Sequence, residues 1–273
     1  MSTEQSLRDG NVDQALSDLK DQIRKDVSNP KHRVFLFQLL AVQGDWERAL
    51  TQLNTLAELD PETLAMVQMY RMAIDCEALR SQVFAGTRTP LIFGDPETWI
   101  AQLVQALGSV ARGDLPHAKD LQSKAFEQAP TCSGTINGQP FEWISDSDSR
   151  IGPVVEAFVN GGYYWVPFHR IQRIDIEPPA DLRDVVWMPA HFVWANGGEL
   201  VGVIPTRYAG SEHNSDSSIR LSRKTDWQDL GDEYYLGVGQ RMFATDEGDY
   251  ALMDVRQIVI NPASDSQNQV EEV

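Results

Sequence analysis

A six-residue motif that recurs three times constrains the fold of this chain more than any other feature. Glycine is followed by Asp or Asn, then by three variable residues and an alanine, at residues 10–15, 44–49 and 113–118. The first two copies start 34 residues apart, and the third starts 69 residues after the second, close to twice that spacing. Repeats of this length are supersecondary units that stack on their neighbours. The motif therefore predicts a stack of similar units in the first half of the chain.

The stretch around the second copy indicates what one unit contains. Asn29 and Pro30 form a helix start signal, because the Asn side chain accepts from free backbone amides and Pro suits the first helical position. A strongly apolar helix follows as far as Val42, Gly44 interrupts it, and a second helix runs to Pro61. A hairpin this short cannot cover its own apolar surface, so it needs neighbours of the same kind.

The motif resembles the second helix of the tetratricopeptide repeat, which has a period of about 34 residues and a small residue where its two helices cross. An amphipathic helix predicted at residues 11–28 and two Asp-Pro-Glu start signals, at residues 60–62 and 95–97, extend the helical pattern up to Pro130. We therefore predict that residues 1–130 form a tetratricopeptide-like α-solenoid with an open concave side.

The character of the sequence changes after Pro130. Helical periodicity gives way to aromatic and β-branched runs, which favour strands. Turn signals rich in Asn, Asp and Gly separate these runs, at residues 137–138, 160–162, 196–198 and 246–249. Short strands joined by tight turns indicate a mostly antiparallel sheet or a partly closed barrel. Two short helices are predicted within it, at residues 153–160 and 181–186.

The predicted fold class is therefore α+β with two domains. The tetratricopeptide-like helical stack occupies residues 1–130, a mainly-β domain occupies residues 131–260, and the polar, acidic residues 261–273 are predicted to form a disordered tail.

Charge and cysteine content narrow the function classes. The net charge of −17 repels nucleic acid and anionic membrane surfaces, so a basic protein surface is the better match for a partner. The two cysteines offer neither a disulfide framework nor metal-ligand spacing, which favours a reducing compartment. The sequence has no leader-like N-terminus and no apolar run of membrane-spanning length. We therefore expect a protein of a reducing compartment that contacts neither membrane nor nucleic acid.

The candidate chemical groups point to no specific reaction. The acidic cluster at residues 146–150 fails as a calcium loop, because Arg150 takes a ligand position, and it is better explained as turn and capping chemistry. The five histidines show no metal-ligand spacing, so no metal or cofactor is expected. An acid–base site could still assemble from distant residues, namely Asp146, Glu156, His169 and Asp184. A hydrolase or ligand-binding module in the β domain, with the helices as its docking arm, is therefore the alternative to a non-enzyme.

Several longer strings carry a family resemblance. They are residues 141–153 (FEWISDSDSRIGP), 163–168 (YYWVPF), 181–184 (DLRD) with Trp187, and 204–208 (IPTRY). Together with the helical half, they resemble the ImpE family, also called TagJ or SciE, which comprises accessory proteins of bacterial type VI secretion systems. The resemblance covers about residues 7–260.

The resemblance implies a cytoplasmic, non-catalytic adaptor. Its partners would be a helix of the small subunit of the contractile sheath and the AAA+ ATPase that recycles contracted sheath. The family supplies no catalytic residue to carry over. A general co-chaperone is a third possibility, but the strongly negative charge disfavours the acidic peptide end that it would bind.

A concave helical groove suits an amphipathic partner helix. With Pro30 as the first repeat position, the groove-facing residues are predicted to be Lys31, Val34, Gln38, Ala41 and Val42. A second surface is predicted on the strand at residues 163–168, where alternation places Tyr163 and Trp165 on one face. One set of rings would fill the core, and the other would contact the helical half or a partner. Packing entirely within the chain is the alternative.

Overall fold

The computed structural model describes residues 3–262, which fold as a layer of helices followed by β-sheets. From residue 263 onward, the predicted disordered tail lies outside the described residues. The α-helices are α1 (Thr3–Arg8), α2 (Val12–Lys25), α3 (Pro30–Val42), α4 (Trp46–Leu59), α5 (Leu64–Phe84), α6 (Thr98–Ala111), α7 (Leu115–Gln128) and α8 (Ser217–Arg220). Most helices lie in the first half and the sheets lie mainly in the second. This confirms the mixed α and β composition predicted from the sequence.

The recurring motif forms the turn of three helical hairpins, α1–α2, α3–α4 and α6–α7. In the second copy, Gly44 has a φ of 69°, and its N–H donates to Ala41 while the N–H of Asp45 donates to Leu40. This pair of bonds is a Schellman C-cap, which requires a left-handed residue and so favours glycine. Asp45 then caps α4 by accepting from the N–H of Arg48.

The alanine of each motif lies in the core. Ala15, Ala49 and Ala118 are all completely buried. That these alanines lie where the two helices cross stays a prediction, whereas the glycine forms the turn. The tetratricopeptide-like superhelix is not confirmed, because the single long helix α5 and a short strand separate the second hairpin from the third.

Replacing the motif glycines with alanine tests this role of the left-handed turn. Gly113 has a φ of 78° and no atom within 4 Å of an added Cβ, so Gly113→Ala isolates the backbone strain, which is about 1 kcal/mol. At Gly44 an added Cβ would also lie 2.6 Å from Cγ of Glu212, so Gly44→Ala is expected to cost about 2 kcal/mol. Urea denaturation measures both values. Equal stability of both variants and the wild type would contradict a left-handed turn at these two glycines.

The strands form one large sheet and two small ones. They are β1 (Leu91–Ile92), β2 (Gly134–Ile136), β3 (Gln139–Phe141), β4 (Ile144–Asp146), β5 (Val154–Val159), β6 (Gly162–Pro167), β7 (Ile171–Asp175), β8 (Trp187–Trp194), β9 (Glu199–Pro205), β10 (Thr225–Asp229), β11 (Tyr235–Gly239), β12 (Met242–Thr245), β13 (Gly248–Ala251) and β14 (Gln257–Ile260). The large sheet has the order β1-β6-β5-β9-β8-β7-β14-β2-β3, while β10 pairs with β11, and β13, β12 and β4 form the third sheet.

The sheets are antiparallel except where β1 pairs in parallel with β6. The four predicted turns are confirmed, since they connect β2 to β3, β5 to β6, β8 to β9 and β12 to β13. Asn137 and Gly138 both have positive φ, as do Asn160 and Gly161. Positive φ at both central residues of a two-residue connection is the type I′ geometry that Asn-Gly favours.

One of the two short helices predicted in the β half is wrong. Residues 153–160 contain β5, an interior strand of the large sheet between β6 and β9, and all six of its residues are buried. Val154 and Phe158 face the helices, whereas Val155, Ala157 and Val159 belong to a second core on the opposite face. A strand that is covered on both faces loses the polar–apolar alternation that identifies strands. The other predicted helix is a 3-10 helix, Leu182–Val185.

The helical layer and one face of the large sheet share a single hydrophobic core. This core includes residues of α2 to α6 together with Trp165, Trp187 and Val203 from the sheet. The change from helix to strand falls between α7 and β2, near the predicted boundary at residue 130. That residues 1–130 and 131–260 are separate domains stays a prediction, and the shared core indicates that their stabilities are coupled.

Candidate functional site

The α3 residues predicted to line a groove become progressively more buried from the start of the helix to its end. Lys31 is exposed and Val34 is half-buried, whereas Gln38 is only 4% exposed. Ala41 and Val42 are completely buried. The face of α3 on which these residues lie is therefore open only in its first turns.

The chain's own β half covers the rest of this face. The guanidinium of Arg207, which follows β9, donates to the carbonyl oxygens of Ala41 at 2.9 Å and Val42 at 2.7 Å. The carbonyl of Ala41 also accepts from the N–H of Gly44, and Arg207 adds a side-chain cap to both carbonyls at the end of α3. The 3-10 helix Leu182–Val185 also packs against α3. The open groove expected at Gln38, Ala41 and Val42 is thus wrong for this structure, because an internal segment occupies it.

Trp187, the first residue of β8, is the largest side chain in this contact. It is fully buried between three helices, with its ring centroid 6.3 Å from Phe37, 5.7 Å from Trp46 and 5.5 Å from Tyr70. Its indole N–H donates to Oε1 of Glu77 at 3.0 Å. The aromatic rings and the buried hydrogen bond fix the β half against α3, α4 and α5.

Tyr163 and Trp165 on β6 also face the helical layer and are completely buried. This confirms that one set of rings on the strand contacts the helical half. The hydroxyl of Tyr163 donates to Glu156, and it accepts from the indole N–H of Trp165 at 2.7 Å. Neither ring is available to a partner in this conformation, so a partner-binding role for them stays a prediction that would require the two halves to separate.

Glu156 is the centre of a buried ionic network between the two halves. Arg80 on α5 binds its carboxylate through two hydrogen bonds of 2.8 and 2.9 Å. Arg241, which precedes β12, bridges Glu156 to Asp146. All four side chains are at most 2% exposed. Burial at this level makes each charge dependent on its partners, because unpaired ions are strongly disfavoured away from water.

The ionisation of the network follows from this geometry. Burial by itself raises the pKa of Glu156, but the two guanidinium groups of Arg80 and Arg241 outweigh it and hold that pKa at about 2. Burial also raises the pKa of Asp146, to about 7, although Arg241 counteracts it. The network therefore keeps Glu156 ionised at neutral pH as a structural anion.

The residues of the alternative acid–base site do not come together. His169 bonds Glu97 through Nε2 at 2.9 Å, whereas Asp184 accepts from the N–H groups of Ala180 and Asp181 before the 3-10 helix. Asp146 and Glu156 are joined only through Arg241. Of the four proposed residues, Asp146 and Glu156 thus belong to the buried network, Asp184 caps a helix, and His169 forms a separate hydrogen bond with Glu97.

The acidic cluster at residues 146–150 is a turn, as predicted. The N–H of Asp148 donates to Asp146, and the carboxylate of Asp148 accepts from the backbone and the side chain of Arg150. In residues 3–262, no group of three or more His, Cys, Asp or Glu side chains is placed to hold a metal ion. Among the helices of the same part of the chain, none combines the length and apolar character needed to cross a membrane.

One end of the helical layer, by contrast, exposes several large apolar side chains. Val27 is 60% exposed, Leu59 44% and Leu64 51%. They lie in the α2–α3 connection, at the end of α4 and at the start of α5. Because successive helices here pack side by side in alternating directions, these three positions share one end of the layer, together with the open first turns of α3. We call the surface formed by Val27, Lys31, Val34, Leu59 and Leu64 the open end.

Sequence reasoning missed most residues that join the two halves. Arg80, Arg207 and Arg241 resemble ordinary charged surface residues in the sequence, and their partners are far away along the chain. Trp187 was noted only as part of a string. The exposed apolar residues of the open end carry a weak sequence signal, since Val27 lies two residues before the helix start at Asn29 and Leu59 lies next to the helix end at Asp60.

Comparisons with known proteins agree with this architecture. The ImpE protein family matches residues 138–259. The type VI secretion system accessory component TagJ of Pseudomonas aeruginosa is 49% identical over 262 residues, which cover 96% of this chain and 92% of that protein. A crystal structure of protein VPA1032 from Vibrio parahaemolyticus is 27% identical, with a TM-score of 0.86 over 95% of this chain and 97% of that one.

Proposed function

Because this chain belongs to the ImpE and TagJ family of type VI secretion system accessory proteins, we propose that it is a non-catalytic cytoplasmic adaptor that binds a helix of the small sheath subunit. We further propose that it links this subunit to the AAA+ ATPase that recycles contracted sheath. The accessory role follows from the family, whereas the two partners are part of the proposal.

The exposure of the open end carries this proposal. An amphipathic helix binds by placing apolar side chains, spaced three or four residues apart, against apolar positions of its receptor. Val27, Leu59 and Leu64 provide such positions, and the half-buried Val34 in the early turns of α3 is a fourth. The remainder of the α3 face is occupied by Arg207 and the 3-10 helix, so the bound helix would contact the ends of α2 to α5 rather than run along the whole layer.

Charge supports a protein partner of complementary sign. The net charge of −17 gives the chain a long-range field that attracts basic surfaces and repels acidic ones. Lys31 is the cation of the open end, and it would pair with an acidic residue of the bound helix at its edge. Most of the binding free energy would come from the apolar contacts, because exposed ion pairs contribute little.

Substitutions at the open end test the proposal. Val27→Asp places a charge in the apolar contact and is expected to weaken binding of the purified small sheath subunit at least tenfold, which corresponds to about 1.4 kcal/mol. Lys31→Glu is expected to weaken it by about threefold. Isothermal titration calorimetry measures both effects.

The chain offers matched controls for these variants. Val201 on β9 is 66% exposed, so Val201→Asp makes the same change on the opposite half of the molecule. Lys124→Glu on α7 is the control for Lys31→Glu. The controls should leave the affinity within twofold. If Val27→Asp and Val201→Asp reduce binding equally, the open end is not the binding surface.

A further inference from the structure

A cavity of about 260 Å³ lies at the opposite end of α5 from the open end. It is an open recess bordered by the end of α5, the loop that follows, α6 and the start of α7. Its lining residues are Val83, Gly86, Arg88, Thr89, Val104, Gln105, Gly108, Ser109, Arg112 and His117. α5 has 21 residues, so it places the cavity about 30 Å from the open end at 1.5 Å per residue. The cavity is therefore separate from the proposed partner surface.

The charge of the cavity is opposite to that of the whole molecule. Among the described residues that line it, there are two arginines and one histidine but neither Asp nor Glu. Within residues 3–262, no carboxylate lies within 4 Å of the guanidinium of Arg88 or Arg112. A chain with 40 acidic and 23 basic residues would be expected to neutralise two neighbouring arginines. The two guanidinium groups are therefore free to bind an anion in the recess, at whose edge the carboxylate of Asp114 accepts from the backbone N–H of His117.

Arg112 is held toward the cavity by its neighbours. One terminal nitrogen donates to Oγ of Ser109 at 3.2 Å, and the other lies over Gly108, 3.3 Å from the position that a Cβ there would take. A side chain at residue 108 would displace the guanidinium. Ser109 is 1% exposed and its own hydroxyl donates to the carbonyl of Gln105, so the support of Arg112 is itself fixed.

The set of donors fits a phosphate group. Guanidinium groups offer paired N–H donors that match phosphate oxygens, and a phosphate accepts from several directions at once. Arg88 and Thr89 approach from the loop, Gln105 and Arg112 from α6, and His117 from α7. Val83 and Val104 form an apolar wall that would accommodate the carbon part of a larger ligand.

We propose that this cavity is a binding site for a phosphate group, free or carried by a small molecule such as a nucleotide. The inference is independent of the proposed adaptor function, because no residue of the open end lines the cavity. Both arginines are exposed, so their replacement should leave the fold intact.

Titration of the full chain with inorganic phosphate, followed by ¹H–¹⁵N NMR at an ionic strength held constant with sodium chloride, tests the proposal. The amide signals of Gly86 and Gly108 are expected to shift and to saturate. Arg112→Gln and Arg88→Gln should each weaken binding at least tenfold. Arg24→Gln, which removes an exposed arginine on α2, should leave it unchanged. Circular dichroism verifies that the variants are folded.

Two further titrations separate the possible ligands. Tighter binding of ADP than of inorganic phosphate would identify a nucleotide as the source of the group, and equal affinity would identify free phosphate. Shifts that rise linearly without saturating, shifts that persist unchanged in both arginine variants, or acetate binding as tightly as phosphate would each overturn the proposal.

Discussion

Replacing Trp187 with alanine is expected to lower the free energy of unfolding by about 3–5 kcal/mol. The indole is fully buried, contacts rings on three helices, and donates a hydrogen bond to Glu77. Alanine would leave a cavity between the helical layer and the sheet, and Oε1 of Glu77 would lose its donor. Urea denaturation followed by circular dichroism at 222 nm measures the loss.

A tryptophan that does not join the two halves is the control. Trp143 is 40% exposed, so Trp143→Ala is expected to cost less than about 1 kcal/mol. Comparable losses from both substitutions would show that Trp187 does not have the packing role assigned here.

Wild-type protein should unfold in one transition, because the shared core couples the halves; two separate transitions would favour independent domains.

Glu156→Gln is expected to have a similarly large effect, about 3–5 kcal/mol. The substitution preserves shape but removes the anion shared by Arg80 and Arg241, which are at most 2% exposed and would keep only Glu77 and Asp146, respectively, as acidic partners. This loss of unfolding free energy should exceed the loss caused by removing one partner of an exposed ion pair. Asp120→Asn, which removes an exposed partner of Lys124 on α7, should cost less than about 1 kcal/mol.

The pH dependence of stability provides a second test of the network. The pKa of Glu156 falls from its ordinary value of 4.5 to about 2 on folding, so the unfolded chain binds a proton more readily. The stabilisation is fully present above pH 4.5 and is lost as the pH falls from 4.5 toward 2. Across this interval the wild type should lose more stability than Glu156→Gln. Parallel pH profiles would contradict an ionised Glu156.

Features determined by neighbouring residues were predictable from the sequence. The Gly-Asx turn of each helical hairpin depends on a left-handed glycine and a cap within one or two residues, and Gly44 and Asp45 show both. The Asn-Gly turns of the sheets are equally local, as at Asn137 and Gly138. These turns can be predicted from the local sequence because residues outside the turn have little effect on its conformation.

Features determined by distant residues were not predictable. β5 was mistaken for a helix, because cores on both faces of the sheet remove its alternation. Arg80 and Glu156 are 76 residues apart, and nothing in either neighbourhood specifies the pairing. The prediction of an open groove along α3 was wrong for the same reason, since Arg207, 165 residues from Val42 in the sequence, binds the end of α3.

The covering of α3 has a direct consequence for the adaptor role. A helical layer with a free concave side could hold a partner helix along its length, but here Trp187, Arg207 and the 3-10 helix already occupy that position. Binding at the open end needs no separation of the halves. Binding along the covered face would require breaking the ionic network and exposing Trp187, and the two substitutions above are expected to measure a large free-energy cost for each.

Hydrogen exchange measured by mass spectrometry, with and without the small sheath subunit, tests this central claim most directly. Binding should slow exchange in residues 26–35 and 58–66, which contain the open end, and should leave residues 36–42 and 182–187 unchanged because they are already protected. Slower exchange confined to the β half, or faster exchange at residues 36–42 and 182–187 when the subunit binds, would contradict it.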